Sequence, residues 1–320
     1  MTLLEVENLS IAYQTRKGLA LAVDGASFSL DKGKSLGIVG ESGCGKTTIG
    51  MGLLRLLPEN GIIQSGTALF QGRDVLQLSE DEMRAIRWKR ISMIFQAAMN
   101  AWNPVQRIGD QIVEAIRIHY PDYSRDRAVK EVEKLYQLVD IPRSRLFNYP
   151  HEYSGGMKQR AIIAMALTCH PDLVIADEPT TALDVIVQDQ IIQKIKEIQK
   201  ELNLAVIFIS HDIGMVAEVC HDIMVMYKGK IVEAGKREEV FVTPVHPYTK
   251  ALLSSYLTLD GVFDFEDGQR DLVCRPDTII DAHICGYIKH CREADSSCLK
   301  EAPGWQEITP THKALCRLCK

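Results

Sequence analysis

The chain has no run approaching the roughly eighteen consecutive apolar residues of a membrane-spanning helix. Met1 to Ser10 lacks a basic segment followed by an apolar one, so no export signal is read there and the protein is expected to remain in the cytosol. Positive charge is not in excess: 37 Lys and Arg stand against 42 Asp and Glu, a net −5, which gives no bulk field for nucleic acid or an anionic lipid surface. There is no internal repeat and no low-complexity tract, so a solenoid or a disordered polar chain is not the reading. With 46% hydrophobic and 25% charged residues, the composition is that of an ordinary globular protein. At roughly 150 residues per domain, 320 residues allow two domains.

Cysteine, in contrast, is plentiful. Nine of them in a chain without an export signal suggest thiols or metal ligands rather than disulfides, because the cytosol is reducing. Cys44, Cys169 and Cys220 are scattered, whereas Cys274, Cys285, Cys291, Cys298, Cys316 and Cys319 crowd the C-terminal end and mark a separate module there.

The hydrophobic pattern predicts an α/β fold. Leu3 to Leu9 and Leu21 to Leu30 alternate with the period of half-buried strands, an antiparallel layer. Leu36 to Val39, Leu173 to Ala176 and Ala205 to Ile209 are apolar throughout, as in a parallel sheet covered on both faces. Helical spacing marks Gly45 to Leu57, Arg125 to Val139, Gly155 to Cys169 and Val185 to Leu202. The block from Ile108 to Tyr149 reads as wholly helical, an inserted subdomain, and after Gly235 the sheet pattern stops.

Gly40-Glu41-Ser42-Gly43-Cys44-Gly45-Lys46-Thr47 matches G-x-x-x-x-G-K-[ST] between an apolar strand and a helix, the context of a phosphate-binding loop. Glycines let backbone N–H groups turn toward phosphate oxygens, and the helix start adds its positive dipole end. Lys46 is expected to reach the β and γ phosphates and Thr47 to ligate Mg²⁺, with Thr48 completing the loop. Cys44 at the helix start is expected to have a lowered thiol pKa, so its alkylation should block nucleotide entry. Leu173 to Ala176 runs into Asp177 and Glu178, two carboxylates at the C-terminal edge of a parallel sheet, where α/β ligands bind. Asp177 suits the Mg²⁺ shell and Glu178 the polarisation of an attacking water.

Tyr153-Ser154-Gly155-Gly156-Met157-Lys158-Gln159-Arg160 resembles the signature motif of ATP-binding cassette (ABC) ATPases. Ser154 reads as a helix N-cap, and the two glycines expose N–H groups at that helix start, a second anion site. The resemblance implies that this site seals the γ phosphate held by a second ATPase subunit. It further implies that Tyr13 stacks on adenine and that Gln96 is the Q-loop glutamine near Mg²⁺. Ala182-Leu183-Asp184 would be the D-loop and His211 the switch histidine. His246-Pro247-Tyr248-Thr249-Lys250-Ala251-Leu252 and Asn103-Pro104 resemble the oligopeptide, dipeptide and nickel uptake subfamily.

Cys285-x5-Cys291-x6-Cys298, followed by Cys316 and Cys319, resembles a tail that ligates a [4Fe-4S] cluster in members of that subfamily. By chemistry alone a four-thiolate zinc site competes, and so do free thiols. The first gap is five residues rather than six, and Lys289-His290 and Arg292 stand where prolines are usual. Cys316 fits as the fourth ligand, Cys319 is the alternative, and Cys274 lies outside the pattern.

The resemblance thus implies a nucleotide-binding domain over residues 1–250, its helical subdomain at about 108–160, and a Cys-rich extension over 251–320. The implied activity is ATP hydrolysis driving uptake of peptides or a related solute. The implied partners are a second, related ATPase chain, two transmembrane permease subunits and, indirectly, a solute-binding protein, with no nucleic acid. The chain would sit peripherally on the cytoplasmic face of the membrane. The rivals are an ABC ATPase that does not serve transport and a cassette that senses redox state or iron.

Overall fold

The computed structural model describes residues 1–96, 101–181, 183–257 and 284–318. β1 (Thr2–Thr15) and β2 (Gly18–Asp31) pair antiparallel, and with β4 (Gly61–Phe70) and β5 (Arg73–Asp74) they form a four-stranded sheet ordered β2-β1-β4-β5. The alternating segments predict this layer, although both opening strands run longer than the pattern, because Ile11 to Thr15 still pair with residues from Val23 back to Gly18.

The second sheet holds the apolar runs. β3 (Ser35–Val39), β7 (Leu173–Asp177) and β8 (Ala205–Ser210) are buried at every residue. They lie side by side with β6 (Ile91–Ile94) and β9 (Asp222–Tyr227) in the parallel order β9-β3-β8-β7-β6. Successive side chains point to opposite faces, and both faces are covered. Val174, Ala176, Val206 and Phe208 enter one core, with the helical block. Leu173, Ile175, Ile207 and Ile209 enter the other, with the antiparallel layer and α1 (Lys46–Leu53).

The helical block contains α3 (Ile108–His119) and α4 (Arg125–Leu138), followed by two short 3₁₀ turns, Arg143–Phe147 and Pro150–Glu152, so it is not helical throughout. Ser124 caps α4 by accepting the Arg127 N–H, and Ala128, Val132, Leu135 and Tyr136 give it one buried face. Tyr136 and Tyr153 join hydroxyls at 2.9 Å, fastening this block to the segment before α5 (Gly155–Ala166).

The expectation that the sheet ends near Gly235 is wrong. β10 (Lys230–Lys236) pairs antiparallel with β9 and also with β12 (Lys313–Leu315), which pairs with β11 (Trp305–Glu307). These last strands have only three residues each, too short to carry a readable alternation. The C-terminal hairpin therefore extends the main sheet instead of standing apart from it. Glu233, fully buried on β10, fastens the junction: its carboxylate accepts the backbone N–H groups of Val245 and His246 at 2.9 Å and lies 2.7 Å from His312 Nε2.

Candidate nucleotide site

Every strand of the parallel core that feeds the site ends on the same edge. β3 runs into Gly40, β6 approaches Gln96, β7 ends at Asp177 and β8 leads to His211. The topology thus gathers residues far apart in sequence at the carboxyl ends of the strands, where open α/β sheets bind ligands.

The glycine loop is sterically exacting at two positions. Gly40 has φ 152° and Gly45 φ 108°, and a Cβ at either would fall 2.1 or 2.2 Å from the carbonyl oxygens of Met226 and Ala22. α1 begins immediately after Gly45. Lys46 is buried, and its Nζ donates to the carbonyls of Gly40 at 2.7 Å and Glu41 at 2.8 Å. Ser42 and Gly43 remain exposed at the rim. The Tyr13 hydroxyl lies 3.2 Å from Thr48 Oγ1, so the aromatic residue expected beside adenine stands next to the loop.

Asp177 is 1% exposed, and neither of its oxygens has a hydrogen-bond partner. Burial pushes its carboxyl pKa up, against the opposing pull of Thr47 and Lys46. A carboxylate in such a place is a charge waiting for a cation. Thr47 beside it supplies a hydroxyl, and the donor set of all-oxygen ligands suits Mg²⁺.

Glu178 sits in the left-handed region, φ 46°, with its N–H donating to Ile209 O at 2.8 Å. Gln96 Nε2 donates to one carboxylate oxygen at 2.8 Å and Thr181 Oγ1 to the same oxygen at 2.9 Å. His211 Nδ1 lies 3.0 Å from the other oxygen. Burial raises the Glu178 pKa, but the hydrogen bonds of His211 and Thr181 outweigh it and hold the carboxyl below its usual range. Gln96, Glu178 and His211, each selected separately in the sequence, are thus in direct contact. Thr181 was missed, since a threonine in a turn carries no signal by its spacing.

Ser154 caps α5 by accepting the Met157 N–H. Ser154 and Gly155 are exposed, and no hydrogen bond among the described residues joins Ser154, Gly155 or Gly156 to the glycine loop. A Cβ on Gly156 would come 2.7 Å from Val187 Cγ1 of α6 (Val185–Leu202), and one on Gly155 3.4 Å from Leu183. Asp184 caps α6, while Ala182 lies outside the described residues.

One expectation needs correction. Cys44 is buried, and desolvation raises its thiol pKa despite Lys46 and the helix start, so it is not an activated thiol. Among the described residues no three His, Cys, Asp or Glu side chains are placed to hold a metal ion. What the structure does bring together is Cys285, Cys291, Cys298 and Cys316, on the wall of one small cavity with room for about one water molecule. Burial pushes the thiol pKa of Cys285 up and that of Cys291 up to about 11. Cys274 and Cys319 lie outside the described residues.

A strand, glycine loop and helix, an acidic strand end and a carboxylate gripped by a glutamine and a histidine define a P-loop ATPase of the cassette type. The ABC transporter family model matches residues 23–181, and the model of the oligopeptide/dipeptide transporter C-terminal region matches residues 232–298. The chain is 42% identical to a probable peptide ABC transporter ATP-binding protein, y4tR, of Sinorhizobium fredii, over 98% of this chain and 94% of that protein. It is 49% identical to the dipeptide transport ATP-binding protein DppD of Bacillus subtilis, over 80% of this chain and 77% of that one. Among solved structures, cbiO1 of Clostridium perfringens, part of the transporter complex cbiONQ, superposes with TM-score 0.65 at 25% identity, over 82% of this chain and 99% of that one. The chain belongs to the ABC transporter ATP-binding family, in its oligopeptide/dipeptide branch. No helix among the described residues is long and apolar enough to cross a membrane.

Proposed function

We propose that this protein is the ATP-hydrolysing subunit of an importer for di- or oligopeptides, or for nickel or a related solute. The observation that carries the reading is Glu178, held in contact with both Gln96 and His211. In this reading Lys46 leaves the carbonyls of Gly40 and Glu41 for the β and γ phosphates, while Tyr13 packs on adenine. Thr47, Asp177 and Gln96 would hold Mg²⁺, which neutralises charge developing on the phosphates. Glu178 orients and deprotonates the attacking water, and His211 contacts the γ phosphate.

Ser154, Gly155 and Gly156 serve the nucleotide of the opposing subunit, a related chain. The exposure of Ser154 and Gly155, and the lack among the described residues of a bond from any of the three to this chain's own glycine loop, support that division. The boundaries 1–250 and 251–320 remain our working division of the chain. The experiment is steady-state hydrolysis by the assembled complex with Glu178→Gln, which should bind ATP and turn it over at least about a hundredfold more slowly. Unchanged hydrolysis rejects the role.

Two permease subunits and an extracytoplasmic solute-binding protein complete the transporter, with this chain peripheral on the cytoplasmic face. An apolar groove of about 410 Å³ lined by Leu56, Trp88, Met93, Phe95, Trp102 and Met165 suits a permease segment. Phe95 is 43% exposed in it, and buried Trp102 has an Nε1–H without an acceptor among the described residues.

We also assign the C-terminal cavity to a [4Fe-4S] cluster. A zinc ion gathers its sulfurs at about 2.3 Å from one point, a convergence absent among the described residues. A cluster takes one thiolate at each of its separated iron corners, which suits four thiols spread around a cavity wall. Bound, it would offer an electron-accepting or iron-responsive group; the four cysteines hold it and Tyr287 and Ile288 screen it from water. Iron and sulfide analysis of anaerobically purified protein tests this, and stoichiometric zinc without iron rejects it.

A further inference from the structure

The C-terminal segment reaches back into the phosphate loop. Tyr248 lies on α9 (Pro247–Leu257), and its hydroxyl accepts the backbone N–H of Glu41 at 3.1 Å, across 207 positions of sequence. The carbonyl of Glu41 is held by Lys46 at 2.8 Å. The Glu41 residue is therefore gripped on both its backbone groups, once by the loop's own lysine and once by a helix 207 positions further along the chain.

Tyr248 is 3% exposed and has little freedom to move alone. Its ring lies 4.5 Å from that of Tyr227 and 5.4 Å from that of Tyr287, and Tyr227 and Tyr287 meet edge to face at 5.3 Å. Tyr287 also lines the cavity shared by Cys285, Cys291, Cys298 and Cys316. Tyr227 ends β9, and two residues later the Gly229 N–H donates to the carbonyl of Cys44 at 2.9 Å. Three packed rings thus stand between a cluster of thiols and two backbone groups of the phosphate loop. The start of α9 is pinned in turn, because Glu233 holds the N–H groups of Val245 and His246.

We propose that Tyr248 is a positioning residue for the phosphate loop and that, through Tyr287, the state of the four-cysteine cavity and the occupancy of the nucleotide site are coupled. Close-packed rings have few alternative arrangements, so a displacement at the cavity wall is passed on rather than absorbed. Coupling between two sites is reciprocal: a cavity state that changes nucleotide affinity obliges nucleotide to change the cavity by the same factor. The proposal goes beyond the cluster assignment, since it concerns the thiols with or without metal.

Reciprocity supplies the test. In the metal-free full chain carrying Glu178→Gln, the rate of N-ethylmaleimide labelling at Cys285 is measured by peptide mass spectrometry with and without saturating ATP. Cys285 is the most accessible of the four thiols. ATP should change that rate by roughly fivefold or more, the scale of one hydrogen bond's worth of coupling. Tyr287→Ala and Tyr248→Phe should each cancel the response. Tyr248→Phe, which keeps the ring, should also weaken ATP binding several-fold and speed hydrogen exchange at the Glu41 amide, a local readout that general loss of packing does not give. Equal Cys285 rates with and without ATP, or a response undiminished in both variants, overturn the proposal. Iron and sulfide content is a separate measurement, so a missing cluster and a missing coupling are told apart.

Discussion

His211 Nδ1 stands 3.0 Å from Glu178 Oε1, although the two residues leave different strands of the sheet. The carboxylate is thereby oriented from one side by the histidine and from the other by Gln96 and Thr181, which share its second oxygen. Replacing His211 with Ala frees one of these oxygens. Hydrolysis by the complex should fall at least about tenfold, with ATP affinity changed much less. A loss of binding equal to the loss of rate would show that His211 serves nucleotide capture instead.

Ser154 offers a contrast, since among the described residues it bonds only within its own helix start. Ser154→Arg should leave ATP affinity of the isolated chain within about twofold, and cost about 1 kcal/mol of stability through the lost cap. In the complex the same change should abolish most hydrolysis. Titration with a fluorescent nucleotide checks the first expectation; a tenfold weaker affinity in the isolated chain would place Ser154 in its own site.

Trp102 lies in the apolar groove with its indole N–H unpaired among the described residues. Trp102→Ala should lower solute uptake by reconstituted vesicles and weaken recovery of the permeases with this chain, while ATP binding by the isolated chain persists. The two readouts separate docking from chemistry. Full uptake with Trp102→Ala removes the groove from the permease interface.

Acid should loosen the C-terminal segment. His246 is 1% exposed, its Nδ1 accepts the Tyr248 N–H at 3.0 Å, and burial lowers its pKa from 6.5 to about 4. Between those values the unfolded chain binds a proton that the folded chain refuses, so stability falls as pH drops through that window. The total is on the order of 3 kcal/mol at most. Thermal unfolding followed from pH 7 to pH 4 should steepen in this range. His246→Asn, which keeps an acceptor near Nδ1, should flatten the profile.

Much of the cassette was legible because its physics is local. The glycine loop needs residues without a Cβ where carbonyls of Met226 and Ala22 approach, and the central strands must be apolar on both faces because both are covered. The end of the chain was less legible. Three-residue strands carry no period, and the tie from Glu233 to His312 spans 79 positions without any local mark. Cys44 misled for a different reason: its place at a helix start is visible in sequence, whereas the burial that outweighs it is not. Tyr248 lay within a recognised motif, but no pattern of residues discloses that its hydroxyl ends at Glu41.

Glu233 ties the end of the main sheet to the last strands of the chain. An acid sealed away from solvent and satisfied by amides on one side and an imidazole on the other cannot lose either set of partners cheaply. Trimming the last residues, to leave a bare ATPase, would strand that acid against the sheet. Without the hairpin Glu233 keeps its two amide partners and loses the imidazole, so the shortened chain should unfold at a lower temperature than the whole one.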